Sequence, residues 1–174
     1  MAEHKRRSPS KSKIKLHSRA AAVAAGYEQA GVAAMSVLTN GQYFGGSLED
    51  LLLARAACTL PLLRKEFIVE PYQIHEAKAY GADAILLIAA CLNAEETHQL
   101  AKTAKAIGLD VLLEVHNLEE LEQAPLTYVD VVGVNNRNLK DFSLDLTTSL
   151  TLAGHIPSDK VKTVSYTHLT LPTM

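Results

Sequence analysis

A lysine near the end of an apolar stretch is the first residue in this chain whose surroundings call for a chemical explanation. Lys65 lies in Pro61-Leu62-Leu63-Arg64-Lys65-Glu66-Phe67-Ile68-Val69-Glu70-Pro71. The stretch reads as a short strand followed by a proline suited to the first turn of a helix. Strand residues two apart share a face, so Leu63, Lys65 and Phe67 are expected on one side and Leu62, Arg64 and Glu66 on the other. An ammonium between two large apolar neighbours is poorly solvated. It either reaches water at the strand's end, as an edge-strand lysine does, or meets an anionic group. Similar polar residues recur at other strand ends: Glu3 with Lys5, then Glu114, then Asn135 with Arg137.

The elements that must position these residues alternate along the chain. Met1 to Arg6 reads as the tail of a strand, followed by a basic loop and a helix from Ser18, as N-cap, to Gly31. Met35 to Thr39 is the next strand. A glycine-rich loop, Asn40-Gly41-Gln42-Tyr43-Phe44-Gly45-Gly46, leads to Ser47 and Asp50, which have near capping-box spacing. The Lys65 strand follows, with its helix from Pro71 to Gly81. Ala84 to Ile88 is a fourth strand, apolar enough to be buried on both faces. Asn93 with Glu96 caps a helix ending at Gly108, Val111 to Val115 is a strand, and Asn117 with Glu120 starts a short helix. Val131 to Val134, a helix over Asp145 to Ala153, and Val161 to Val164 complete the pattern.

Serial βα repetition predicts a parallel sheet with right-handed crossovers. A doubly wound sheet and a (β/α)₈ barrel both satisfy it. The absence of Gly-x-Gly-x-x-Gly after the first strand, and of a Walker lysine, takes weight from the nucleotide-binding sheet. The polar residues favour the barrel, because there the C-terminal ends of all strands converge on one mouth. Each has a bland alternative. Glu114 could be an exposed strand acid, Gly45-Gly46 a simple turn, and Asn135-Asn136-Arg137-Asn138 an ordinary polar loop. His116 reads as a loop or helix-start residue rather than a catalyst. Acids, bases and an arginine at four strand ends together read as a polar pocket over an apolar core.

Composition bounds the remaining possibilities. The chain has 174 residues, 48% hydrophobic and 21% charged, the length and balance of one folded domain. The longest apolar run, Ala84 to Leu92, is far short of a membrane span. Cys58 and Cys91 fit no metal spacing and are expected as small buried residues in a reducing compartment. The net charge of −2 hides a basic arm: Lys5, Arg6, Arg7, Lys11, Lys13, Lys15 and Arg19 against Glu3 alone in the first twenty residues. Such an arm could bind anions or nucleic acid. It is short and has no interleaved aromatic residues, so solvation or small-anion binding is the simpler reading.

At these residues the sequence resembles the indole-3-glycerol-phosphate synthases, (β/α)₈-barrel lyases of tryptophan biosynthesis. The resemblance covers roughly residues 1 to 165. It rests on Ala2-Glu3-His4-Lys5-Arg6-Arg7-Ser8-Pro9-Ser10-Lys11, on Ser36-Val37-Leu38-Thr39 with Phe44-Gly45-Gly46-Ser47, and on Leu63-Arg64-Lys65-Glu66-Phe67-Ile68-Val69. It continues through Leu113-Glu114-Val115-His116 and Asn135-Asn136-Arg137-Asn138-Leu139.

The resemblance implies a role for each matching residue. Lys65 matches the general acid that protonates the ribulose carbonyl as the aromatic ring attacks it. Glu114 matches a carboxylate implicated in proton transfer, and Glu3 with Lys5 a second acid–base pair linked to dehydration. Ser8, Phe67, Asn135 and Arg137 match positions that shape the pocket and hold the substrate's anthranilate and hydroxyl groups. The implied substrate is 1-(2-carboxyphenylamino)-1-deoxyribulose 5-phosphate, which closes a ring, loses carbon dioxide and loses water. Protonation supplies the electron sink, so no metal or organic cofactor is expected. The implied protein is cytoplasmic, without nucleic-acid or membrane partners, and in full length is monomeric or fused to another enzyme of the pathway.

Three departures from the family pattern set further expectations. The chain starts inside the first strand, without the family's N-terminal helical extension. Ser12 stands where a glycine usually follows Ser-Pro-Ser-Lys, which stiffens that loop. After Ser165 the family continues Glu-Ser-Gly-Ile, whereas Tyr166-Thr167-His168-Leu169 follows here. Residues 1–165 are therefore expected to form an incomplete barrel of about seven strands, lacking the eighth strand and last helices, and 166–174 a tail foreign to the family. Two competing readings are a catalytically inactive barrel fragment and an anion- or nucleic-acid-binding protein using the basic arm.

Overall fold

A computed structural model describes residues 1–138 and 143–165. Leu139, the last residue of the Asn135–Leu139 motif, and the tail expected over 166–174 lie outside the described residues. Seven strands form one sheet: β1 (Ala2–His4), β2 (Met35–Leu38), β3 (Leu62–Lys65), β4 (Ala84–Ile88), β5 (Asp110–Val115), β6 (Val131–Asn135) and β7 (Val161–Ser165). Their spatial order is their sequence order, and every neighbouring pair is parallel. A doubly wound sheet would reverse its strand order at a switch point. No reversal occurs among the described strands, so the architecture is an incomplete (β/α)₈-type barrel.

Side-chain alternation divides the strands from β2 to β6 between two environments. Met35 and Val37, Leu62, Ile85 and Leu87, Val111, Leu113 and Val115, and Val132 and Val134 all join the main core. There they meet helices α1 (Ala20–Gln29), α3 (Leu48–Ala57), α4 (Pro71–Ala79) and α5 (Ala94–Ala106), through Ala24, Leu51, Ile74 and Leu100. Each fully buried aliphatic side chain of this kind contributes about 1.5–3 kcal/mol. The alternate residues Leu63, Leu86, Ile88 and Leu112 form a separate inner cluster. A cavity of about 520 Å³ beside it takes wall residues from all seven strands, among them Glu3, Ser36, Lys65, Glu114, Gly133 and Thr163. The sheet is therefore curled around a common interior.

Local signals explain most element boundaries. Asn93 and Glu96 form a reciprocal capping box at the start of α5, at 2.8 and 2.9 Å. Asn117 Oδ1 accepts the Glu120 N–H at the start of α6 (Leu118–Gln123). Pro71 opens α4 as expected, with Gln73 Oε1 accepting the Glu70 N–H at 3.0 Å. Gly31, Gly81 and Gly108, read as helix stops, all have positive φ.

Several expectations are corrected. Ser18 does not cap α1: the cap is Arg19, without a side-chain bond, because the Ser18 hydroxyl donates to Lys15 O in the preceding turn. The glycine-rich loop contains a short helix, α2 (Gly41–Phe44), capped by Asn40 and ended by Gly45 at φ +68°. Gly46 is more than a turn residue, since a Cβ there would lie 1.9 Å from Leu38 O. Ser47 caps α3, but the Asp50 carboxylate turns away to Arg6. The helix expected from Asp145 begins at Thr147 (α7, Thr147–Ala153), with Asp145 accepting from the Thr147 N–H and hydroxyl. Cys58 is buried, but Cys91 is exposed because it ends a 3₁₀ turn, Ala89–Cys91, beyond β4.

The basic arm is partly built into the fold. Arg6 holds Asp50 through Nη1 and Nη2 and also donates to Gly45 O from Nη1 and to Ser18 O from Nε. Arg7 donates to Gly41 O at 2.7 Å. Cations committed to these bonds are less available to phosphate, which weakens the nucleic-acid reading. No helix among the described residues is long and apolar enough to cross a membrane.

Candidate active site

The strand ends place two lysines around one carboxylate. Glu3 and Lys5 project to the same side at the end of β1, and Lys65 is the last residue of β3. Lys5 Nζ donates to Glu3 Oε1 and Lys65 Nζ to Glu3 Oε2, at 2.5 and 2.7 Å. Burial works to raise the Glu3 carboxyl, but Lys65 and Lys5 overcome it and hold the group down at about 2. The position of Glu3 is fixed from outside the sheet as well, where the Tyr27 hydroxyl of α1 donates to its main-chain oxygen at 3.1 Å. Leu63 and Lys65 share the inner face, as their spacing predicts, while Arg64 is buried on the outer face against Thr39, Gln73 and Glu76.

A second acid faces the same interior. Glu114 lies in β5, 6% exposed, and its Oε1 accepts from Asn135 Nδ2 at 2.9 Å. The Asn135 amide is oriented by its other end, because Oδ1 accepts the Arg137 N–H at 2.9 Å. Glu3, Lys5, Lys65, Phe67, Glu114 and Asn135 line one cavity at the strand ends. Leu38, Phe44, Leu86 and Ile88 supply its apolar wall. Phe44 and Phe67 have ring centroids 6.5 Å apart, with Tyr43 edge-on to Phe67 at 6.2 Å. The arrangement can hold an aromatic ring beside groups able to give and take protons.

Ser8 and Arg137 are placed differently. Ser8 sits in a turn paired with Lys11, outside the residues that line the Lys65 cavity. Arg137 lines a neighbouring polar cavity of about 450 Å³ and donates to Ser10 Oγ at 3.0 Å, joining the loop after β6 to the loop after β1.

Alternation predicts Glu66 on the face opposite Lys65, yet it too lines the cavity. The strand ends at Lys65, so alternation no longer applies beyond it. The Glu66 carboxylate accepts from Thr39 Oγ1, Asn40 Nδ2 and its neighbour's Phe67 N–H at 2.8–3.0 Å. It thereby pins the loop after β2, which carries Phe44, to the loop after β3, which carries Phe67. No sequence signal joins Glu66 to Asn40, although the glycine-rich loop marked one of the two segments. Among the described residues no group of three or more His, Cys, Asp or Glu could hold a metal ion.

Comparison with known proteins gives this geometry a family. The family model described as indole-3-glycerol phosphate synthase matches residues 1–168. The chain belongs to the indole-3-glycerol phosphate synthase family. Proteins of that name from Dechloromonas aromatica, Leptothrix cholodnii and Bacteroides thetaiotaomicron are 51%, 48% and 47% identical to it over 161 residues. In each case the match covers 92% of this chain and 62% of the relative. The chain thus spans less than two thirds of the length of these indole-3-glycerol phosphate synthases, and the match falls on the β1–β7 segment that carries the Glu3, Lys65 and Glu114 cluster.

Proposed function

We propose that this segment carries the catalytic groups of an indole-3-glycerol-phosphate synthase, acting on 1-(2-carboxyphenylamino)-1-deoxyribulose 5-phosphate. The observation that carries the reading is the Glu3 carboxylate bridging the Lys5 and Lys65 ammonium groups across from Glu114, beneath an aromatic wall. In this reading Lys65 protonates the ribulose carbonyl oxygen as the aryl carbon bearing the carboxylate attacks the carbonyl carbon. Loss of carbon dioxide returns the bonding electrons to the ring. An acid then protonates the new hydroxyl, which leaves as water, and a base takes a proton from the adjacent ring methylene to complete the indole. Glu3 with Lys5, and Glu114, are the groups that share these two transfers. Positioned proton transfers of this kind are worth about 10²–10⁴-fold each.

The aryl ring packs between Phe44 and Phe67, while Asn135 binds a hydroxyl and orients Glu114. Ser8 and Arg137 contact polar substituents from the rim. The phosphorylated small-molecule substrate, a cytoplasmic setting, and ring closure without an organic cofactor belong to the same proposal.

The test is a chimera in which residues 1–165 replace the matching segment of the Dechloromonas aromatica relative. Indole fluorescence should appear on adding substrate, at a rate within about tenfold of the parent's. A folded chimera without turnover would refute the reading.

A further inference from the structure

His116 follows β5 directly and its side chain is nearly buried, 11% exposed. One edge of the ring is accounted for by the start of α6. Nδ1 lies 3.2 Å from Glu120 Oε2, which also accepts the His116 N–H at 2.8 Å. Burial opposes charge on Glu120, but the bonds from His116, joined by Asn117, hold its carboxyl below the ordinary value. An ionised Glu120 fixes the tautomer, since Nδ1 must carry the hydrogen that faces it. The other edge is not explained by capping. Nε2 is buried without a hydrogen-bond partner and points at Glu114 Oε1 from 3.7 Å. A buried ring nitrogen left unbonded is costly, and the charged group that approaches it among the described residues is the carboxylate that lines the Lys65 cavity.

Two cavities meet at this point. Glu114 lines the one that holds Lys65, whereas His116 and Glu120 line the neighbouring polar one, and Asn135 belongs to both. We propose that His116 is a positioning residue that couples the protonation of Glu114 to the polar cavity through Glu120. The inference rests on the ring-closure reading for its purpose, though not for its geometry.

The transfer balances as a relay through the ring. The Glu114 O–H breaks as the Nε2–H bond forms, and the resulting imidazolium keeps its Nδ1–H on the ionised Glu120 carboxylate, which stabilises the added charge. The reverse sequence reloads Glu114. Substrate contact that moves Glu114 Oε1 a few tenths of an ångström closer to Nε2 brings the pair into hydrogen-bonding range. Glu114 from β5 and Glu120 from α6 face the ring nitrogens, Cys91 from the turn after β4 lies within reach of both carboxylates, and Arg137 and Asp145 line the polar cavity that His116 also lines. The Cys91 thiol is pushed up by partial burial and by the Glu114 and Glu120 carboxylates, so it stays protonated and does not compete for this proton.

The experiment is a carbon-detected NMR titration of the Glu114 carboxyl in the 174-residue chain, without substrate, in the wild type and in His116→Gln. Glutamine keeps a donor and an acceptor but does not titrate. The wild-type curve should be biphasic and its main midpoint should move by about one pH unit in the variant, the signature of coupled sites. Curves that superimpose would overturn the relay. Where His116→Gln does not fold, Glu120→Gln replaces it: the Glu114 curve should again shift, and an unshifted curve overturns the proposal equally. Because no substrate is present, failure of the chimera to turn over would remove the ring-closure reading and leave this result standing. Superimposed curves would do the opposite.

Discussion

The side-chain amide of Asn135 donates to the Glu114 carboxylate at 2.9 Å while its own oxygen accepts the Arg137 N–H, so one strand end orients the acid of the next. In the proposed ring closure this bond holds the Glu114 carboxylate in place at the mouth of the Lys65 cavity.

Glu114→Gln retains the shape and the contact with Asn135 but cannot transfer a proton. In the active chimera kcat should fall by about 10²-fold or more, and the pH–rate profile should lose one limb. Near-normal turnover with an unchanged profile would make Glu114 a structural acid.

Lys65→Met removes the ammonium while keeping much of the side-chain volume. The general-acid role predicts a fall in kcat of about 10²-fold or more with little change in KM. Retention of more than half the activity in steady-state assays would show that Lys65 serves only to pair with Glu3.

Glu3 should make the fold acid-sensitive. Its carboxyl is held at about 2 in the folded chain, against an ordinary value of 4.5, by Lys65 and Lys5 acting against burial. A depressed folded value means that the stabilisation is fully present above the unfolded value and is lost as pH falls toward the folded one. The loss should therefore develop between pH 4.5 and 2, amounting to about 3 kcal/mol. Urea unfolding midpoints measured across that window should fall less steeply in Glu3→Gln than in the wild type. Parallel curves would show that the two lysines do not hold Glu3 in solution.

The fold was legible where a local rule sufficed. Alternation put Leu63 and Lys65 on one face and Arg64 on the other, and the structure shows the first face to be the inner one. Asn93 with Glu96 and Asn117 with Glu120 marked helix starts because a side chain three residues from a backbone N–H can close that bond without tertiary help. The reading failed where alternation was carried past a strand's end, as at Glu66, or where partners are far apart in sequence. Nothing local marks the Arg6–Asp50 pair, 44 residues apart, or the Glu66 bonds to Thr39 and Asn40. The cluster of Glu3, Lys5, Lys65, Phe67, Glu114 and Asn135 was legible because the strands end at one mouth. The approach of His116 Nε2 to Glu114 was not, since a histidine two residues on from a strand acid reads equally well as the start of a loop.

The Arg6–Asp50 pair supplies the last prediction. Asp50 is 5% exposed, and the paired guanidinium, with Ser47 and His4 contributing, holds its carboxyl below the ordinary range although burial pushes it up. Removing one partner leaves the other charge uncompensated in a poorly solvated place, which costs about 3–5 kcal/mol in buried pairs. Arg6 is partly exposed, so Asp50→Asn should fall at the lower end, about 3 kcal/mol, measured by urea unfolding. Replacing both residues, Arg6→Met with Asp50→Leu, should recover much of that loss, because no charge is then stranded. Arg6 adjoins Lys5 in sequence and also ties the segment after β1 to Gly45 and Ser18. Asp50→Asn should therefore broaden the NMR signals of Lys5 while leaving those of Lys105, far along the chain in α5, unchanged. A variant as stable as the wild type would place the pair among exposed ion pairs, which contribute little.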